Sequence, residues 1–190
     1  VTVTVNPATV LNSTTTPTAI CSNTVFNYTP TSTTPGTTFN WTRAVVAGIS
    51  NAAASGSGNP AETLINTGST AVSVVYAYTL STASGCTSST NVTVVVNPSP
   101  SLSTTLTPTA ICSGATFSYS PASNTTGVNF SWTRAAVIGI SNLASSGTNN
   151  PNEVLINTTQ TAITVGYVYT LTNPTTGCSK ISPGCKNCYA

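Results

Sequence analysis

Residues 1–5, VTVTV, alternate apolar and polar positions in strict turn, and the alternation stops at Asn6-Pro7. The text recurs as NVTVVV at residues 91–96, stopped by Asn97-Pro98. Between them AVSVVYAYTL (71–80) alternates over the longest run. TVFNYTP (24–30), TTFNWTR (37–43) and ETLINT (62–67) are rich in β-branched and aromatic residues. A period of two belongs to strands, whose side chains point to opposite faces in turn. Clusters such as TSTTPG and SGSGNP punctuate these runs as turns. No segment carries a capped apolar stripe of helical period. The pattern predicts an all-β chain of short strands, arranged as immunoglobulin-like sandwiches.

The pattern occurs twice. PTAICS (17–22) returns at 108–113, FNWTRA (39–44) returns as FSWTRA (130–135), ETLINT (62–67) as EVLINT (153–158), and YAYTL (76–80) as YVYTL (167–171). Cys21 to Cys112, Trp41 to Trp132 and Glu62 to Glu153 each differ by 91 positions, and Cys86 to Cys178 by 92. Self-similarity at a fixed period marks tandem domains. The expected organisation is one sandwich over residues 8–98 and a second over 99–190. Asn6-Pro7 and Asn97-Pro98 are also 91 apart, so Val1, Thr2, Val3, Thr4 and Val5 match the closing strand of a repeat. Residues 1–7 are therefore expected to be a spare strand belonging to a preceding or neighbouring domain. The second repeat is expected to lack its own last strand. Where the first runs TSSTNVTVVVNP after Cys86, the second runs SKISPGCKNCYA after Cys178, with Pro183 and Gly184 in mid-segment and a Cys-rich tail over 180–190.

Charge narrows the function. Charged residues make up 3% of the chain, histidine is absent, and the two acids are Glu62 and Glu153. Acid–base pairs, histidine-assisted nucleophiles and carboxylate metal cages have almost nothing to be built from. The sequence therefore predicts neither an enzyme nor a cofactor-binding protein. A net charge of +2 offers no phosphate-binding surface, so no nucleic-acid partner is expected, and no apolar run is long enough to span a bilayer.

Few side chains stand out against this neutral background. Arg43 with Glu62, and Arg134 with Glu153, keep one spacing in both repeats; they read as structural ion pairs, with a ligand site as the alternative. Trp41 and Trp132 read as core residues, together with Tyr76, Tyr78, Tyr167 and Tyr169; exposed Trp rings would instead be glycan-stacking platforms. Acceptor sequences for N-linked sugar occur at Asn12, Asn27, Asn40, Asn91, Asn124, Asn129 and Asn157. Six cysteines, Cys21, Cys86, Cys112, Cys178, Cys185 and Cys188, are disulfide candidates and favour an oxidising compartment. Two connectivities stand side by side. One pairs Cys21 with Cys86 and Cys112 with Cys178 inside each repeat; the other pairs Cys21 with Cys178.

The ordered anchors TPTAICSG, FSYSP, FSWTRA, GIS, EVLINT, YVYTLT and NVTVVVNP resemble the PKD-like, immunoglobulin-related repeats of large secreted surface proteins of Bacteroidetes-type bacteria. The resemblance covers about residues 1–179. It implies a β-sandwich serving as a repeated spacer or adhesive module outside the cell, and it brings no catalytic residues. The acidic loops that bind calcium in some related modules have no counterpart here. The stretch NPTTGCSKISPGCKNCYA also resembles the opening of a phage-associated, radical-SAM-like family, which would imply an iron–sulfur cluster on Cys178, Cys185 and Cys188. The leading expectation is an extracellular structural protein that joins end to end with itself into a fibre or stalk by donating residues 1–5. An adhesin segment that binds glycans or proteins is the second. A metal protein built on the terminal cysteines is a distant third.

Overall fold

The computed structural model describes residues 1–182 and the backbone of Cys188–Tyr189. It divides into two units, Val1–Pro98 and Ser99–Ala190, each all-β.

In the first unit, strands β1 (Ile20–Cys21), β7 (Thr87–Asn97), β6 (Val72–Ser81), β3 (Thr38–Arg43) and β4 (Ala54–Ser57) form one five-stranded sheet in that spatial order. Strands β2 (Thr24–Phe26) and β5 (Glu62–Leu64) pair antiparallel as a second, smaller layer, extended by bridges Leu11 to Ser32 and Ile49 to Asn66. The alternation read from the sequence is the alternation of burial. Val74, Tyr76, Tyr78 and Leu80 of β6 and Val92, Val94 and Val96 of β7 face inward, packed with Phe26, Tyr28, Trp41, Ile49 and Leu64 from other elements. Their β-branched and aromatic side chains fill the space between two pleated layers, which is why these runs are strands.

Two strands lie outside the pattern. β4 has the sequence ASGS and sits in what reads as a turn cluster, yet it pairs with β3 from Arg43–Ala54 to Asn40–Ser57. β1 is only two residues long and runs parallel to the end of β7, with Ile20 opposite Val96 and Cys21 opposite Asn97.

The second unit repeats the plan with differences. Strands β8 (Thr116–Phe117) and β11 (Glu153–Val154) pair as the small layer. β10 (Ser145–Thr148), β9 (Asn129–Arg134), β13 (Tyr167–Thr172) and β14 (Ser179–Ser182) form the larger sheet in that order. The counterpart of β6 is interrupted at Gly166, leaving β12 (Thr164–Val165) as a separate strand that pairs with β15 (Cys188–Tyr189). A glycine has no side chain to pack, so it weakens a strand at that point.

The expectation of a repeat wholly without its last strand is corrected here. β14 lies beside β13 in the register that Thr87–Thr90 hold beside β6: Leu171 faces Lys180 as Leu80 faces Ser88. An edge strand needs only backbone pairing, and Pro183 comes after the paired residues. Register then departs from the first repeat. From Tyr78 to Val74 the partner advances four residues, Thr90 to Val94; from Tyr169 to Val165 it advances six, Ser182 to Cys188.

Candidate functional site

Each repeat concentrates its charge in one buried cluster. Arg43 ends β3 and is 2% exposed. Its Nε donates to Glu62 Oε2 at 2.9 Å and its Nη2 to Glu62 Oε1 at 2.8 Å, a two-pronged pairing of planar groups. Nη2 also donates to the Ala52 carbonyl at 2.6 Å, and Nη1 to that of Ala44 at 3.2 Å. From β6, the Tyr76 hydroxyl donates to Glu62 Oε2 at 2.7 Å. The second repeat matches it. Arg134 reaches Glu153 at 2.9 and 3.0 Å and the Leu143 carbonyl at 2.6 Å, and the Tyr167 hydroxyl donates to Glu153 Oε2 at 2.6 Å.

This cluster fastens layers together. Glu62 stands on β5 in the small layer, while Arg43 and Tyr76 stand on β3 and β6 in the large sheet. The Arg43 hydrogen bond holds the Glu62 carboxyl below the usual carboxylate range. Burial pushes Glu153 up, but hydrogen bonds from Arg134 and Tyr167 outweigh it and the net direction is again down. Burial, then the bond to the carboxylate, raises the phenols of Tyr76 and Tyr167 well above their ordinary value. Both carboxylate oxygens and all three guanidinium nitrogens are occupied inside the cluster. The carboxylate is ionised and the phenol neutral over the physiological range, so the arrangement offers neither a poised acid nor a poised base.

Beside it, Trp41 meets Tyr76 edge-on at 5.4 Å, and Trp132 meets Tyr167 likewise at 5.4 Å. The two Trp side chains are each 5% exposed, which leaves no ring face for stacking a sugar. Tyr78 and Tyr169 are also buried, and their hydroxyls donate to the carbonyls of Gly58 and Asn149. The tyrosine-to-carboxylate bonds were not read from the sequence; their signal is that Glu62–Tyr76 and Glu153–Tyr167 keep one spacing, 14 residues.

Buried amides are a second feature missed by a reading focused on charge. Asn66 donates through Nδ2 to the carbonyls of Thr70 and Val96, both at 2.8 Å, and accepts from Gly68 N–H. Ser22 Oγ accepts from the Asn66 N–H at 2.9 Å. These bonds seal the end of the first sandwich where β7 finishes. In the second repeat Ser113 stands in place of Ser22 and is exposed, whereas Ser22 is buried; Asn157 stands in place of Asn66 and is half-buried. The pairing itself is kept, the Asn157 N–H donating to Ser113 Oγ at 2.9 Å.

Among the sequon residues, Asn12, Asn27, Asn40, Asn91, Asn124 and Asn129 are exposed. Asn157 is engaged in its turn, its Nδ2 donating to the Thr161 carbonyl at 2.8 Å.

Cys21 and Cys178 are disulfide-bonded, while Cys86 and Cys112 carry free thiols. The connectivity within each repeat is thereby excluded, and the reason lies in β7. Cys21 pairs with Asn97 at the end of that strand, and Cys86 immediately precedes Thr87 at its start. Ten steps at about 3.3 Å separate those ends by about 33 Å, against the roughly 7 Å a disulfide tolerates between Cα atoms. Cys178 is not a free thiolate for a cluster. Cys185 and the side chain of Cys188 lie outside the described residues, and among the described residues no group of three or more His, Cys, Asp or Glu gathers as a metal site.

Residues 1–8 are exposed and outside any strand, with Val1, Val3 and Val5 exposed by 134%, 86% and 86%. Their repeat counterparts Val92, Val94 and Val96 are each 0% exposed. No helix among the described residues is long and apolar enough to cross a membrane.

No curated protein matches the chain in sequence. The PKD-like domain matches it twice in tandem, over residues 18–100 and 109–182. With two all-β units in the same places, and one buried Arg–Glu–Tyr cluster in each, the chain belongs to the PKD-like domain family.

Proposed function

We propose that this chain is an extracellular structural protein whose repeats join head to tail into a stalk or fibre. In this reading residues 1–5 complete the sheet of the repeat before them, whether that repeat lies in the same polypeptide or in a neighbouring copy. The observation that carries it is the contrast between Val1, Val3 and Val5, fully out in solvent, and Val92, Val94 and Val96, fully buried at the same register. A strand with three apolar side chains on one face has no reason to stay in water. Burying three valines contributes about 5 kcal/mol by transfer values, before backbone pairing and ordering are counted.

The acceptor in this reading is the edge of a larger sheet that β7 covers in the first unit. In the second unit Cys188–Tyr189 pair with Thr164–Val165 there, so a donated strand would have to take their place. Such addition is heterologous, because the head of one copy fills the tail of the next, so it propagates instead of closing into a dimer. PKD-like repeats and a disulfide are both compatible with life outside the cell. The clusters at Glu62 and Glu153 act in this reading as fasteners that keep each module rigid under tension. A glycan-binding reading would need aromatic faces at the surface, and the Trp residues do not provide them.

The test is removal of residues 1–7. Wild-type protein should form filaments visible by negative-stain electron microscopy, and the shortened chain should remain folded and monomeric. Equal assembly by both proteins would refute strand donation. In the full-length chain, assembly kept with Val→Ile at positions 1, 3 and 5 and abolished with Val→Asp there would tie the effect to the apolar face.

A further inference from the structure

The larger sheet of the second unit ends on an unguarded strand. Among the described residues β10 pairs with β9 alone, so its other side has no strand beside it. The Asn149 N–H donates to the Phe130 carbonyl, in the register that sets Gly147 opposite Trp132. Backbone groups alternate in direction along a strand, so those of Ser146 and Thr148 face away from β9, toward the free side. Charge and proline commonly guard such an edge, and the run SSGT has neither, whereas the opposite edge, β14, carries Lys180. The core face of the same strand holds an unmet donor. Trp132 is 5% exposed, and its Nε1 has no hydrogen-bond partner among the described residues. That nitrogen stands 3.2 Å from where a Cβ on Gly147 would be, over the bare position of the edge strand. Buried N–H groups seldom go without an acceptor.

We propose that two copies of this chain pair antiparallel through their β10 edges, with Ser146 opposite the partner's Ser146, so that the partner's Ser145 accepts from Trp132 Nε1. This contact is independent of strand donation. Its register follows from two requirements: outward-facing backbone must meet outward-facing backbone, and core-facing side chains must meet core-facing side chains. With Ser146 on the two-fold axis, Ser145 of each copy stands opposite Gly147 of the other. Opposed Cβ atoms in such a ladder are about 4.5–5.5 Å apart, which brings the partner's Ser145 hydroxyl within reach of the indole nitrogen. Ser145 suits the part, because its hydroxyl donates to the Glu153 carboxylate and so keeps its lone pairs free to accept. Gly147 on the axis would also align the faces, but it would set glycine against glycine and leave both indoles unmet. The contact is isologous and closes as a dimer, each copy supplying what the other lacks.

The first repeat is an internal control. β4 has the same free side, the same bare Gly56 and the same unmet Trp41 Nε1, but Ala54 stands where the second repeat has Ser145. In the equivalent pairing Trp41 would meet a methyl group. Leu143, 83% exposed, precedes β10 where Ala52 precedes β4, and the pairing would bring it beside the partner's Asn149 and out of water. Self-pairing therefore belongs to β10 and not to β4.

The experiment uses the full chain with Val→Asp at positions 1, 3 and 5, which removes strand donation as a source of association, and with Cys86, Cys112, Cys185 and Cys188 each changed to Ser. Sedimentation equilibrium should show a monomer–dimer equilibrium. Ser145→Ala should raise the dissociation constant by about tenfold, the effect of losing a hydrogen bond to a buried donor. Ser146→Pro should abolish the dimer while the monomer still folds, because the N–H it removes faces the free side; a thermal transition checks folding. Ser146→Cys should cross-link to its own counterpart under oxidised glutathione, since Cα atoms of a hydrogen-bonded pair lie about 5.5 Å apart, whereas Ser55→Cys on β4 should not. The chain has two indole N–H signals for nitrogen-15 NMR, assigned by nuclear Overhauser contacts to Gly56 and Gly147; that of Trp132 should move with protein concentration and that of Trp41 should stay. A protein that remains monomeric at millimolar concentration would overturn the proposal. So would a dimer indifferent to Ser145→Ala, or Ser55→Cys cross-linking as fast as Ser146→Cys. A Trp132 N–H protected from exchange at every concentration would mean an acceptor other than a second copy, and would overturn it too. None of these outcomes bears on strand donation, which is read from the chain with Val1, Val3 and Val5 intact.

Discussion

The indole of Trp41 lies directly on Gly56: a Cβ built on that glycine would stand 2.8 Å from Trp41 Cζ2, closer than real Cβ atoms approach a ring carbon. Trp132 and Gly147 repeat the relationship at 2.9 Å. The strand beside the Trp must be bare at this point, so β4 and β10 have no apolar pattern although they are fully paired.

From this contact, Gly56→Ala should destabilise the first repeat by about 1–3 kcal/mol, as overpacking of a filled core does. Trp41→Ala should cost about 3–5 kcal/mol through the cavity it leaves. Urea unfolding of each variant measures both. A Gly56→Ala protein as stable as wild type would mean that the ring has room to move, contrary to the packing described.

The ion pairs give a second expectation. Glu62→Gln leaves Arg43 buried with its charge uncompensated, so a loss of about 3 kcal/mol is expected. Tyr76→Phe removes one charge-assisted bond and should cost about 2 kcal/mol. The double variant Arg43→Met, Glu62→Leu should be more stable than Glu62→Gln, because replacing both partners leaves no stranded charge. A double variant less stable than the single would show that the pair stabilises by more than mutual neutralisation.

Stability should be flat with pH over a wide span and fall at both ends. Glu62 and Glu153 are held below 4.5, so their contribution is complete above that value and is lost as pH falls below it toward their lowered folded values. The phenols of Tyr76, Tyr78, Tyr167 and Tyr169 are raised above 10.0, chiefly by burial. Their contribution is complete below pH 10 and declines as pH rises past it, where unfolded tyrosines ionise. Thermal melts across pH 3–11 read this directly, and a sharp change near neutrality would contradict it, there being no histidine to titrate.

The last expectation concerns connectivity. Alkylation before reduction should label Cys86 and Cys112 in the monomer, and a digest without reductant should yield one peptide holding Cys21 with Cys178. A Cys21–Cys86 peptide would require a span of about 33 Å to close and would contradict the extended β7.

Much of this protein is local in origin. Alternation along Val72–Ser81 and Thr87–Asn97 determines strand, inward face and core residues, because a period of two leaves one side of a pleated layer apolar. The 91-residue self-similarity determines two domains, and by register alone it assigns Val1, Val3 and Val5 to the class of Val92, Val94 and Val96. The repeated spacing of Arg43 and Glu62 marks a pair, since a charge in so neutral a chain needs its opposite. What the sequence does not contain is distance between segments. β4 is invisible because its defining property is an absent side chain beneath Trp41. The Tyr76 hydroxyl reaches Glu62 only because β5 and β6 belong to facing layers. The cysteines illustrate the limit best. Flanking strands place Cys21 and Cys86 equally well for either connectivity, and only the extension of β7, which carries its two ends far apart, decides against a bond within the repeat.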